Sequence, residues 1–387
     1  MTRLLLAGAL LVSHHLACAQ EAATELPRWQ TLDAFTESTT EPAPAAAAER
    51  IALVSRATPP DETRALEIGI VVLDPGVAED SLENRRDGVF PEVRDAEARY
   101  LPFALRRTLV DSNQWGAVRV LPGRHTGYEL LVSGEIIESN GARLTLRLIA
   151  VDASDRVWLD ATYTAVADET AYQQAQRRQR RPFQNLYNQF ANDLLAARER
   201  YSDAELNRLR EISTLRYAAD LLPEAFDDFV ARDADGNFVL QRLPARDDPM
   251  LQRILRVREQ EYLFIDTTDE QYAELFTRMT PVYDLWRQFL REQIAYREAR
   301  EQRLSERDTP PSGSYLAMKQ HYNNFKWKKI QRQEMRILAE GFSNEVAPTS
   351  LELEGKVIKL SGSVDQRYRE WREILRKIYR LEVGVSY

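Results

Sequence analysis

This chain of 387 residues has one cysteine, four histidines and no lysine before residue 319. Each scarcity excludes something. A lone Cys18 cannot form an internal disulfide, so the fold must hold itself together by packing. The histidines (His14, His15, His125, His321) are too few and too scattered for zinc, which needs several His or Cys ligands at short spacing. No apolar run approaches the ~20 residues that span a bilayer. G-x-S-x-G, P-loop and G-x-G-x-x-G patterns are missing, so no cofactor is expected. The 52 basic residues are outnumbered by 60 acidic ones, for a net charge of −8. A general nucleic-acid binder needs the opposite balance to displace counterions, so nucleic acid is not an expected partner.

What is present begins with a leader. Arg3 precedes the uncharged run "LLLAGALLV" at 4–12, too short to span and followed by small residues. A basic start, a short apolar middle and a small-residue site describe a secretory signal peptide. Two fates are open for the end of that leader. Ala17-Cys18-Ala19 fits the small-x-small pattern of ordinary cleavage, with Ala17 and Ala19 as the recognised residues and Gln20 as the new terminus. Alternatively Cys18 is the lipidated residue of a lipobox, although its third preceding position holds the polar His15 rather than an aliphatic residue. The first fate gives a free periplasmic protein and the second an anchor in the outer membrane.

Beyond the leader, residues 20–63 include "ESTTEPAPAAAAER" and "RATPPDET" and read as a flexible linker, with a short helix near Ala45–Val54. "EIGIVVLDPG" (67–76) is a buried strand stopped by Pro75-Gly76. Ala98, Leu101, Leu105 and Leu109 share one face of a helix at 93–116, which tolerates Pro102 near its start. Four strands follow at 117–122, 128–140, 142–153 and 156–166. In the third, Leu144, Leu146, Leu148 and Ala150 face one side while Thr145 and Arg147 face the other. Asn140-Gly141 predicts a two-residue hairpin turn with positive φ, and Ser154-Asp155 the next turn. The helix at 183–195 closes a sheet unit over 64–200. A helical region then runs over 201–345. Ser202 and Glu205 form a capping box, and Asp248-Pro249 opens another helix. Phe276, Met279, Tyr283, Trp286 and Leu290 make a 3-4 seam expected to pack within the chain. A further helix is expected at 315–342. A hairpin at 351–364 and a last helix capped by Asp365 make up 346–387. The fold class expected is α+β, a mixed sheet with flanking helices followed by a mainly helical region.

The candidate chemistry is sparse. His125 lies in "PGRHTG" and reads as an exposed loop histidine. "DADGNF" (233–238) begins like a calcium loop, but Phe238 stands where that loop needs glycine and Pro244 where it needs glutamate, so a plain turn is expected. Two basic segments could contact an anion or a partner: Arg177, Arg178, Arg180 and Arg181, and the aromatic-interleaved Lys326, Trp327, Lys328 and Lys329. The competing reading makes the aromatics core and the basic groups solvated. All seven lysines lie from Lys319 onward, which hints at a different surface role for the C-terminal part.

The stretch "ARYLPFALRRTLVDSNQWGAVRVLP" leading into "ELLVSGEIIESNGARLTLRLIAVDASDRVW" resembles a periplasmic unit. That unit is shared by TolB N-termini, CsgG-like curli-secretion lipoproteins and ABC-transport auxiliary lipoproteins. The likeness covers roughly residues 65–200. It implies an exported envelope protein with a non-catalytic assembly, adaptor or transport-accessory role. Its partners would be envelope proteins, with association to the outer membrane if Cys18 is acylated. Two other readings stand beside it: a module binding peptidoglycan, lipid or another anionic polymer, and a hydrolase of unrecognised type. No catalytic or metal-binding residue is singled out.

Overall fold

The computed structural model describes residues 50–76, 91–167, 181–305, 349–353, 356–360 and 364–383. Strand β1 (Ile68–Val71) is buried throughout and lies between two parallel neighbours, β2 (Val118–Leu121) and β3 (Leu130–Ser139). β4 (Arg143–Asp152) and β5 (Val157–Val166) extend the sheet antiparallel, in the order β2-β1-β3-β4-β5. Helix α1 (Pro91–Ser112) forms the crossover between β1 and β2. Helices α2 (Gln184–Arg198), α3 (Asp203–Leu221), α4 (Pro223–Phe226), α5 (Pro249–Ser305) and α6 (Val364–Val383) follow. Two short hairpins complete the elements, β6–β7 (Val230–Arg232, Phe238–Leu240) and β8–β9 (Thr349–Leu353, Lys356–Leu360). The α+β class expected from the sequence is the class observed.

The alternation in β4 places Leu144, Leu146, Leu148 and Ala150 in the core beneath α1 and α2, where Phe190 meets Tyr163 edge-on. On the opposite face Arg147 holds Asp160 of β5 through two hydrogen bonds of 2.9 Å. That second face is not bare. Over β2 and the start of β3, α5 and α6 bury Leu121 and Tyr128 with Phe264, Ile265, Tyr368, Trp371 and Leu375. The edge strand β2 is partly covered by side chains: Arg106 donates to the Val118 carbonyl (2.8 Å) and Asp269 accepts from the Val120 N–H (3.2 Å). These contacts cover part of the open edge of the strand and hinder another strand from adding there.

Several expectations need correction. Helix α1 starts at Pro91, so Pro102 falls in its middle rather than near its start. Proline there removes the bond to the carbonyl four residues back. The Ala98 carbonyl accepts instead from the Leu73 N–H at 3.0 Å, so the missing helix bond ties α1 to the chain after β1. The helix near Ala45–Val54 is not formed over 50–54, and residues before 50 lie outside the description. Asn185, Asn188 and Asn192, on one face of α2, bind the chain in an extended form. They accept from Ile51 and Val54 N–H and donate to Ile51 and Ala52 carbonyls. A helix would take those same backbone groups for itself.

The β3–β4 turn uses three residues, 140–142, without positive φ. The Asn140 side chain accepts from Ala142 and Arg143 N–H (2.8 and 2.7 Å). Gly141 is required for a different reason: a Cβ there would sit 1.9 Å from the Arg287 carbonyl of α5. Asp365 lies inside α6, which begins at Val364, rather than at the position that caps it. The C-terminal hairpin occupies 349–360. The capping box at Ser202 and Glu205 and the Asp248 cap on Met250 and Leu251 form as expected. "DADGNF" is the β6–β7 turn, with Gly236 at φ 84°.

The seam packs inward. Phe276 and Tyr283 join the core of the sheet, each with its ring 4.4 Å from that of Tyr100, and Trp286 and Leu290 are buried too. The side chain of Met279 lies outside the description. Helix α5 therefore packs on the sheet unit and α1. Trp286→Ala is expected to cost about 3–5 kcal/mol, as for emptying a large aromatic site. Chemical denaturation reads it; an unchanged midpoint would instead make the seam a partner surface.

Candidate functional site

The segment 122–129 carries the chain from the end of β2 to the start of β3, crossing β1 because both strands run parallel to it. Helices α3, α5 and α6 all hold this crossover. Gly127 has φ 106°, and a Cβ there would come within 3.0 Å of the Tyr217 ring of α3. Tyr262 of α5 donates to the Gly127 carbonyl at 2.8 Å. From α6, Tyr368 lies against His125 with ring centroids 4.3 Å apart, and Arg372 approaches its Nδ1 at 3.5 Å.

Behind the crossover, Glu261 of α5 is the hub. It accepts from the hydroxyls of Tyr217 (2.8 Å) and Tyr368, and Arg372 pairs with it at 3.4 Å. Arg372 also donates to Asp220 of α3 (2.6 Å). One carboxylate and one guanidinium thus join three helices. Burial pushes the Tyr217, Tyr368 and Tyr128 hydroxyls well above their usual range. His125 is partly buried rather than exposed as expected from its turn-like sequence, because α6 folds back over the loop. Burial, reinforced by Arg372, lowers its pKa to about 3. The imidazole is therefore neutral at neutral pH. Arginine can only donate, so the ring accepts at Nδ1 and carries its proton on Nε2.

Between this loop, the β4–β5 turn and α3 lies a cavity of about 190 Å³, lined in part by Arg124, His125, Thr126, Tyr128, Ser213 and Arg216. A second, polar groove of about 380 Å³ brings Arg181 beside Arg50, Arg107, Asp111 and Asp284. Arg181 also stands over the Phe276 ring at 5.0 Å. It is thus part of the packed structure as well as a groove wall. Arg177, Arg178, Arg180, Lys326, Trp327, Lys328 and Lys329 lie outside the described residues, as do Ala17, Cys18, Ala19, His321 and the helix expected at 315–342. Among the described residues no group of three His, Cys, Asp or Glu side chains could hold a metal.

A further ionic cluster lies near the N-terminal ends of β1 and β3. Arg119 grips Asp266 with two bonds (2.7 and 3.2 Å), reaches Glu67 at 3.4 Å and sits 4.1 Å over the Tyr262 ring. Two buried carboxylates nearby are held up at about 7. For Asp269, burial outweighs Arg106 and the Val120 N–H; for Glu129, burial and the neighbouring Glu67 act together. Their folded pKa values exceed the unfolded ones, so the stability they contribute is full below about pH 4. It is lost as pH rises through 7, at about 1.4 kcal/mol per pH unit for each group. His125 acts in the opposite sense below pH 6.5, where the unfolded chain takes up its proton, and cancels one of the two. The balance predicts higher stability at pH 5 than at pH 8. Asp269→Asn should remove much of the difference; equal melting at both pH values would count against it.

No family model matches the chain, and no curated protein shows significant similarity to it.

Proposed function

We propose that this is an exported envelope protein with a non-catalytic assembly, adaptor or transport-accessory role. It works from the periplasm, and from the outer membrane if Cys18 carries lipid. The leader and the likeness to TolB-type and CsgG-like units support that reading. The observation that carries it is the length of α5. At 57 residues it is about 85 Å long, against about 33 Å for the longest strands. Among the described side chains its buried apolar contacts run from Ile254 to Leu290, and the helix continues to Ser305, about 22 Å farther. The sequence from residue 297 onward, "REAREQRLSERD", is polar and suited to meeting a partner. Behind the crossover, the ionisable groups are engaged in joining helices to the sheet, which also favours a scaffold. Among the described residues no helix is long and apolar enough to cross a membrane.

Photo-crosslinking from Glu292 and Ala295, exposed on that helix, should yield a discrete adduct with an envelope protein in cells. The same residue types placed at Arg208 on α3, also exposed, should not. Adducts equal at both places, or at neither, would overturn the proposal. Intact mass of the envelope-derived protein reads the leader's fate: a chain starting at Gln20, or one beginning with acylated Cys18.

A further inference from the structure

The polar groove between α1, the start of α2 and α5 holds charge that the protein does not balance. Its cations are Arg50, Arg107 and Arg181, and its acids Asp111 and Asp284. Three guanidiniums against two carboxylates leave one positive charge in excess. Among the described residues Arg181 has neither a hydrogen bond nor an ion pair, and its guanidinium only lies over the Phe276 ring at 5.0 Å. It is half-buried, and burial, then the Arg107 charge beside it, hold it below its ordinary pKa. A charge withdrawn from water without a partner is costly. Arg107 has one loose contact, 3.8 Å to Asp111 a turn farther along α1. Arg50 is exposed and likewise unpaired among the described residues.

The amides of the wall are already engaged. Gln184 donates to Thr108 Oγ1 (3.1 Å) and Asn188 Oδ1 (2.9 Å), and Asn188 donates to the Ile51 carbonyl (2.8 Å). They fix the shape of the groove and leave the guanidiniums to meet a ligand. Helix α2 starts in the same wall without a side-chain cap, so its positive end adds to the field there. A cation would be repelled, and an apolar molecule would leave Arg181 unmatched. A phosphate dianion would overshoot the excess charge beside two carboxylates. One carboxylate balances it, and its two oxygens match the guanidinium fork. A volume of about 380 Å³ is more than ten times the ~30 Å³ share of one water, so flanking residues of a chain fit beside that carboxylate. The groove also adjoins the stretch of α5 proposed to meet a partner: Glu292 lies eight residues beyond Asp284, about 12 Å along the helix. We infer that this groove binds a glutamate or aspartate carboxylate presented by a segment of the partner protein. The inference rests on the adaptor reading, but its test needs no partner.

The full chain without its leader is labelled with fluorophenylalanine, so that the Phe276 ring under Arg181 reports by fluorine NMR; Phe276→Leu assigns its resonance. Acetyl-Gly-Glu-Gly-amide, the same peptide with glutamine, acetate and inorganic phosphate are titrated separately at low salt. The glutamate peptide should give a saturable shift, with weaker binding of acetate and phosphate and none of the glutamine peptide. Arg181→Gln should weaken binding about tenfold, the loss of one charge-assisted bond. Arg107→Gln, at an exposed site that should not disturb folding, should weaken it several-fold and decides the matter if the first variant does not fold. Asp111→Asn removes the acid that competes for Arg107 and should tighten binding. No saturable shift would overturn the inference. So would phosphate, acetate or the glutamine peptide binding as tightly, or an affinity unchanged in the folded Arg107 and Asp111 variants. A failed titration with the Glu292 adduct still formed sinks this inference alone; a missing adduct with peptide binding intact sinks the reading of α5 alone.

Discussion

Glu97→Ala should destabilise the protein by about 3–5 kcal/mol, the cost of leaving a buried charge without its partner. Glu97 of α1 accepts from Ser139 at the end of β3 (2.7 Å) and from Tyr283 of α5 (2.5 Å). Arg287 approaches it at 3.6 Å and Arg94 at 3.8 Å, and all three charged side chains are almost fully buried. The Arg287 guanidinium lies between the Phe183 and Tyr283 rings, 4.5 Å from each. Removing the carboxylate takes a counterion from two buried guanidiniums and the acceptor from the Tyr283 hydroxyl in one step. Glu97→Gln keeps an acceptor but not the charge, so its cost should be intermediate. Urea denaturation of both variants checks the order; a cost below about 1 kcal/mol for alanine would mean that water reaches the cluster.

The same cluster shows what the sequence could and could not convey. Strand alternation, caps and the seam are local patterns, set by neighbours within a few positions, and they were legible. Buried arginines are not local. Arg94, Arg119, Arg198, Arg287 and Arg367 are all nearly inaccessible, although an arginine-rich composition reads as solvated surface. Arg119 finds its partner Asp266 147 residues away, and Arg198 donates to the Gln114 carbonyl 84 residues away. One signal was available: Arg287 lies four positions after Tyr283, on the buried stripe rather than opposite it. The candidate site was missed for the same reason. "PGRHTG" has the composition of an exposed turn, and only the return of α6 buries its histidine. Tyr368 and Arg372 are recognisable as an apolar-face residue and its neighbour, but not as the cover of a loop some 245 residues earlier.

Trp371→Ala should cost a similar ~3–5 kcal/mol and, unlike the Glu97 variants, should act through the crossover. Trp371 is fully buried, stacks against Phe264 with centroids 6.2 Å apart, and donates from its indole to the Gln260 carbonyl at 3.3 Å. It is the central residue of the apolar cluster that covers Leu121 and Tyr128. Emptying that site loosens α6, and with it the Tyr368 and Arg372 contacts that hold His125 and Glu261. His125 should then regain solvent, and its pKa should climb from about 3 toward the ordinary ~6.5. Two measurements check the argument together: the denaturation midpoint, and the pH titration of the His125 ring. If α6 covers the crossover as its contacts indicate, both move. A lowered midpoint with an unchanged His125 titration would make Trp371 a packing residue only, with the loop held by Tyr217 and Tyr262 alone.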